Sequence, residues 1–150
     1  MDRKLKKRIV RSLVWSVALY GAETWTLSKT DLQKLEAFEM WVWRRMERIS
    51  YTEHMPNEAV LKQIEDERTL VATIQHRQKN WIGHILRGEG LIRDLFEGRL
   101  LGARPRGRPR MKMLDNLIGR GSYGELKTRA EDREIWRSWE PETCQLRQST

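Results

Sequence analysis

The sequence predicts an all-α protein: a small helical bundle over residues 1 to about 90, a basic linker from 91 to 124, and a C-terminal helix and tail from 125 to 150. Two observations lead there. Apolar residues recur at spacings of three and four along most of the chain, the period that puts them on one face of a helix. After Gly88 glycines and prolines multiply and that pattern weakens, which marks the end of the compact part. A chain of 150 residues suffices for a modest core but not for a large enzyme with several substrate pockets.

The first helix is expected from about Arg3 to Tyr20, with Leu5, Ile9, Leu13, Val17 and Tyr20 as its apolar row and Gly21 as its stop. Its basic start and apolar middle outline a secretory signal. Arg11 interrupts the apolar run, however, and the single cysteine, Cys144, permits no internal disulfide, so an amphipathic helix is the better reading. No stretch reaches the ~18 apolar residues that span a bilayer.

A second helix follows "TLSKTDLQ", where Ser28 or Thr30 can cap and Asp31 or Gln33 stands three residues on. Its inward row is Leu32, Leu35, Phe38, Val42, Met46 and Ile49. Trp41 and Trp43 flank that row, so at least one of them is expected to be partly exposed. Pro56 opens a short third helix through Val60, Leu61 and Ile64. The run Glu65, Asp66, Glu67 points in three directions on a helix, which argues against a metal site and suits negative charge at a helix N-terminus. A fourth helix runs from about Arg68 to Gly88 with Leu70, Ile74, Trp81, Ile85 and Leu86 on one side, and a last one from about Glu125 to Trp139.

Catalytic patterns are thin. "GRGSYG", residues 119 to 124, has the G-x-G-x-x-G spacing but no strand before it, and reads as a flexible turn. Two-metal polymerases and nucleases need carboxylates that bridge ions ~4 Å apart, and the sequence has no Asp-Asp or D-x-D. His54, His76 and His84 lack metal-ligand spacing. No catalytic residue, metal or cofactor is expected.

Charge is the informative quantity. Lys and Arg outnumber Asp and Glu by 29 to 21, giving +8 and a pI near 10, which favours a polyanionic partner. The densest run is "ARPRGRPRMK", residues 103 to 112. Within it "RPRGRP", Arg104 to Pro109, resembles an AT-hook. That likeness implies Arg106 and Arg108 lying along an A·T-rich minor groove, with Arg104, Arg110 and Lys112 on phosphates.

"LVWSVALYGAETWTLSKTDLQKLEAFEMWVWRRMERI", "RQKNWIGHILRG", "RPRGRP" and "AEDREIWRSW" stand in that order over nearly the whole chain. Together they resemble the C-terminal region of the endonuclease-reverse transcriptases of non-long-terminal-repeat retrotransposons. The resemblance implies a helical thumb and following connection over residues 1 to about 90, gripping a template-primer duplex beside the palm, and a basic tail after it. The palm aspartates and the nuclease of that family are not in this sequence. The chain is therefore expected to be noncatalytic by itself: a truncated copy of an element, or a retained remnant.

The partner implied is nucleic acid, as DNA or an RNA-DNA duplex, held through phosphates by Arg44, Arg45 and Arg48 on the second helix and by Arg68, Arg77, Lys79 and Arg87 on the fourth. A palm domain is a second implied partner. No membrane and no small-molecule substrate are expected, and the location implied is nucleus or cytoplasm rather than secreted. Two other classes remain open. One is a protein-interaction module using Trp41, Trp43 and the stretch Leu91 to Phe96. The other is a membrane-surface binder using the basic, apolar first helix.

Overall fold

The computed structural model describes residues 2–97, 113–118 and 121–140. Among these residues every regular element is helical and no strand occurs, so the chain is all-α. It divides into two compact units, Met1–Gln75 and His76–Thr150. The division falls inside the helix Leu70–Arg87 rather than near residue 90.

The first unit begins with α1, Arg3–Ile9, which runs through a π-helical stretch, Val10–Trp15, into the short α2, Ser16–Ala18. Gly21 follows with φ 65°, the left-handed conformation that favours glycine at a helix end. The face turned inward carries Val10, Val14, Trp15 and Leu19. The expected row lies on the other side: Leu13 is 62% and Val17 77% exposed, and Leu5, Ile9 and Tyr20 are exposed as well. A spacing of four residues drifts around a 3.6-residue helix, and a π-helical stretch adds a further rotation. With apolar residues on two faces, the period alone cannot choose the buried one.

α3, Lys29–Glu47, starts at Ser28, whose hydroxyl accepts from the Asp31 N–H while the Asp31 carboxylate accepts from the Ser28 N–H at 3.0 Å. This capping box is the one "SKTD" suggests, and it holds the Asp31 carboxyl below its usual range. Val42 of the expected row is buried, and Leu32, Leu35, Phe38, Met46 and Ile49 are partly buried against the same core. The centre, though, is Trp43, which has no exposed surface and meets the Trp15 ring edge-on at 5.5 Å. Trp41 is on the outside. Val60 and Ile64 of α4, Asn57–Ile64, and Leu70 and Ile74 of α5, Leu70–Arg87, complete this core.

α5 is started by a residue far away in sequence. Glu39 is fully buried, and its carboxylate accepts from the N–H groups of Thr69 at 2.9 Å and Leu70 at 3.2 Å. Those are orphan donors of a helix N-terminus, and the carboxylate also complements the helix dipole. The acidic run expected to do this has other roles. Glu65 takes the left-handed position that ends α4, and Asp66 pairs with Arg11 at 2.8 Å and Lys7 at 3.6 Å.

The second unit has its own core of Ile82, Leu86, Met113, Leu114, Leu117, Leu126, Ala130 and Trp136. Residues expected in a linker are part of it. Phe96 of α6, Leu91–Phe96, meets Trp81 edge-on at 5.3 Å, and Glu97 pairs with Lys127 at 3.0 Å. Leu117 is a buried residue of α7, Asp115–Ile118. The "GRGSYG" stretch does not end as a turn: the Ser122 hydroxyl accepts from the Glu125 N–H and opens α8, Tyr123–Glu131. The expected last helix is in fact two. Asp132 leaves the helical conformation, and its carboxylate accepts from the N–H groups of Glu134 and Ile135, opening α9, Arg133–Ser138.

Replacing Trp43 by Ala should cost ~3–5 kcal/mol in urea denaturation, and replacing it by Phe clearly less, because the ring against Trp15 survives. A loss below about 1 kcal/mol on Trp43→Ala would contradict its central place.

Glu39 also gives a pH dependence. Burial pushes its carboxyl above the usual range, and the Thr69 and Leu70 N–H groups offset part of that rise. Between the ordinary carboxylate value and the raised one, the folded state holds a proton that the unfolded chain has released. In that window stability falls as pH rises, and above it the dependence levels off. Thermal melts across this range should show the fall in the natural protein and lose it in Glu39→Gln, whose amide oxygen still accepts from the two N–H groups.

Candidate nucleic-acid interface

The cations singled out in the sequence stand in different surroundings. Arg45 and Arg48 of the first unit and Arg77 of the second are exposed. Arg45 lies 5.8 Å from the Trp41 ring centroid, and Arg48 ends α3 with φ 60°. Arg44 and Arg87 are half-buried and hydrogen-bonded to the fold: Arg44 donates to the Met55 carbonyl at 3.1 Å and the Asn57 side-chain oxygen at 2.7 Å, and Arg87 to the Ala130 carbonyl at 2.8 Å. Arg68 is half-buried, 3.8 Å from Glu58.

Lys79 leaves the candidate set. It is 3% exposed, and its ammonium donates to the carbonyls of Arg137 and Trp139. A cation with its donors on backbone carbonyls inside the fold cannot meet a phosphate on the surface. Arg104, Arg106, Arg108, Arg110 and Lys112 lie outside the described residues.

Arg87, Arg133 and Arg137 of the second unit line a groove of about 580 Å³. One wall is α5, where His76, Asn80, His84 and Arg87 follow at steps of four, four and three and so share a helix face. The other is α9, which presents Arg133 and Arg137 one turn apart, with Trp136 between them in sequence. Among the described residues no carboxylate lines the groove. The electrostatic consequence shows at Arg87, whose pKa is lowered by burial first and by the charge of Arg133 second.

The helices can form these walls because of Gly83. A Cβ there would overlap the Trp136 indole, which is buried against that position. The absent side chain lets α9 lie directly on α5, and the glycine of "WIGHILR" thereby has a packing role.

Chemically the groove can bind an anion. Three guanidinium groups supply forked donors, Asn80 a neutral donor, and the His76 and His84 rings border the same wall. Like charges at Arg133 and Arg137 repel by ~0.2–0.5 kcal/mol across one helical turn, a cost that a bound anion relieves. Among the described residues no group of His, Cys, Asp and Glu could hold a metal ion.

Sequence reasoning found Arg87 of this set and missed His76, Asn80, His84, Arg133 and Arg137. His76 and His84 differ by ~80° around a helix, too far for a shared metal ion but close enough to border one groove with Asn80 between them. That spacing was readable; the partner wall was not, since it depends on the helix break at Asp132.

No family model, curated protein or solved structure matches the chain.

Gly83→Ala should displace the Trp136 ring and lower stability by ~1–3 kcal/mol, read by chemical denaturation. Gly88→Ala, whose added carbon would meet only backbone oxygens at 3.4 Å, should cost less than Gly83→Ala. Equal effects at the two glycines would remove the close approach.

Proposed function

We propose that this chain binds nucleic acid through the phosphate backbone and is noncatalytic by itself, as a thumb-and-tail region of a retrotransposon reverse transcriptase would be. The observation that carries the reading is the groove of Arg87, Arg133, Arg137, His76 and His84, with no carboxylate among its described lining residues, in a chain of net charge +8. Phosphate contacts are what arginine forks make without regard to base sequence, and a protein thumb holding a duplex needs no more than that. The resemblance supplies the biological context, with a palm domain as protein partner, the nucleus as location, and "RPRGRP" as a further minor-groove contact. Among the described residues no helix is long and apolar enough to cross a membrane.

A second reading, a protein-interaction module, is favoured by the exposed row of the first helix and by Leu91, Ile92 and Leu95, which are also exposed. Trp43 drops out of that surface because it is fully buried.

The test is the salt dependence of duplex binding, read by fluorescence anisotropy with a labelled DNA. Each lost phosphate contact lowers the slope of log affinity against log salt by ~0.9. Arg133→Ala with Arg137→Ala should weaken binding and reduce the slope by about one to two. An unchanged slope would remove the groove from the interface, and absence of duplex binding at low salt would overturn the reading itself.

A further inference from the structure

A second cavity, of about 620 Å³, lies within the first unit at the C-terminal end of α3. Its walls include Trp41, Tyr51 and His54, and Arg44 and Arg45 border it with Met55. Trp41 is 57% and Tyr51 89% exposed, so two large π-faced side chains stand in water around one concavity. Among the described residues no carboxylate lines it.

The cavity is preorganised from several directions. The Phe38 ring lies nearly parallel to Trp41, with centroids 6.2 Å apart and planes 21° apart, which fixes the indole plane from the core side. Tyr51 belongs to a 3-10 turn, Tyr51–Glu53, held by a second capping box: the Ser50 N–H donates to the Glu53 carboxylate at 2.8 Å, and the Ser50 hydroxyl accepts from the Thr52 N–H. His54 ends that turn with φ 45° and meets Tyr51 edge-on at 5.7 Å. Arg44 is anchored by the Met55 carbonyl and Asn57, whereas the Arg45 guanidinium sits near the Trp41 ring.

Aromatic walls with a cationic rim and no acid select a flat, π-faced ligand that carries negative charge. We propose that this cavity takes an unpaired nucleobase, stacked on Trp41, with an adjoining phosphate on Arg45; the assignment rests on the nucleic-acid reading above and narrows it to single-stranded or unstacked segments. A base inside a duplex has both faces covered by its neighbours and cannot enter, whereas a base in a single strand offers a free face. Base stacking on an aromatic side chain is tolerant of base identity, so the cavity adds affinity for unpaired strands without sequence preference.

The full chain is titrated into three labelled probes: an oligothymidylate, an abasic phosphodiester of the same length, and a duplex. The oligothymidylate should bind more tightly than the abasic strand. Trp41→Ala should remove that difference by weakening oligothymidylate binding roughly tenfold, the order expected for one stacked base, with the abasic strand and the duplex unaffected. Trp41→Phe should keep most of the difference, and Tyr51→Ala, at a fully solvated turn, should reduce it. Equal affinity for base-bearing and abasic strands in the natural protein would overturn the cavity assignment. So would a Trp41→Ala loss equal on both strands, or displacement of the oligothymidylate from the natural protein by an acidic aromatic peptide that binds more tightly. If duplex binding still responds to Arg133→Ala with Arg137→Ala, only the cavity assignment has failed. If none of the three probes binds, the nucleic-acid reading fails with it.

Discussion

The first unit depends on one buried carboxylate. Glu39 of α3 meets the start of α5 thirty residues later, and without it the N–H groups of Thr69 and Leu70 would face a core of Val60, Ile64 and Ile74 with no acceptor. Everything between serves the return. α3 ends at Arg48 in the left-handed conformation, a turn capped by Ser50 ends at His54 in the same conformation, Pro56 opens α4, and Glu65 closes it. Three non-glycine residues at positive φ in under twenty positions mark a path bent against local preference. A contact made only when the path is completed is what holds them there.

That economy explains which parts of the fold are visible in the sequence. The α3 start at Ser28, the end at Gly21, and the rows Val60–Ile64 and Leu70–Ile74 are local signals, set by a cap, a glycine or a period within one element. The buried face of the first helix is not, because Leu13 and Val17 repeat as regularly as Trp15 and Leu19 do. The rings of Trp43 and Phe38, which Trp15 meets, decide between the two rows. The role of Glu39 was invisible for the same reason: a glutamate inside a helical pattern reads as solvated until a distant helix start is known to lie against it.

In the second unit the sequence misleads through its punctuation. Glycine-rich and basic stretches around residue 90 and residues 119 to 124 suggest that packing has ended, yet Met113, Leu114 and Leu117 are buried with Ile82 and Leu86. Those apolar residues are too few and too scattered to show a period. They bury because Leu126, Ala130 and Trp136 supply the other side of the same core. Asp132 is the more instructive case. An aspartate within an otherwise helical stretch can be a solvated side chain or a new cap, and two N–H groups waiting at Glu134 and Ile135 make it a cap.

The same break determines what the arginines can do. Charge counts treat every cation alike, but the structure separates those that meet backbone carbonyls from those that meet solvent. Lys79, with its ammonium on two carbonyls inside the fold, is lost to any ligand. Arg87 is different, since a guanidinium has five N–H donors and one of them on the Ala130 carbonyl leaves others for an anion. Its anchor lowers the conformational entropy that a free arginine would lose on binding, and its partial burial with Arg133 close by makes the positive potential stronger than on an open helix face. A cation that is half committed to the fold is thus the better phosphate ligand, and Arg44, anchored to Met55 and Asn57 beside the Trp41 cavity, follows the same logic in the other unit.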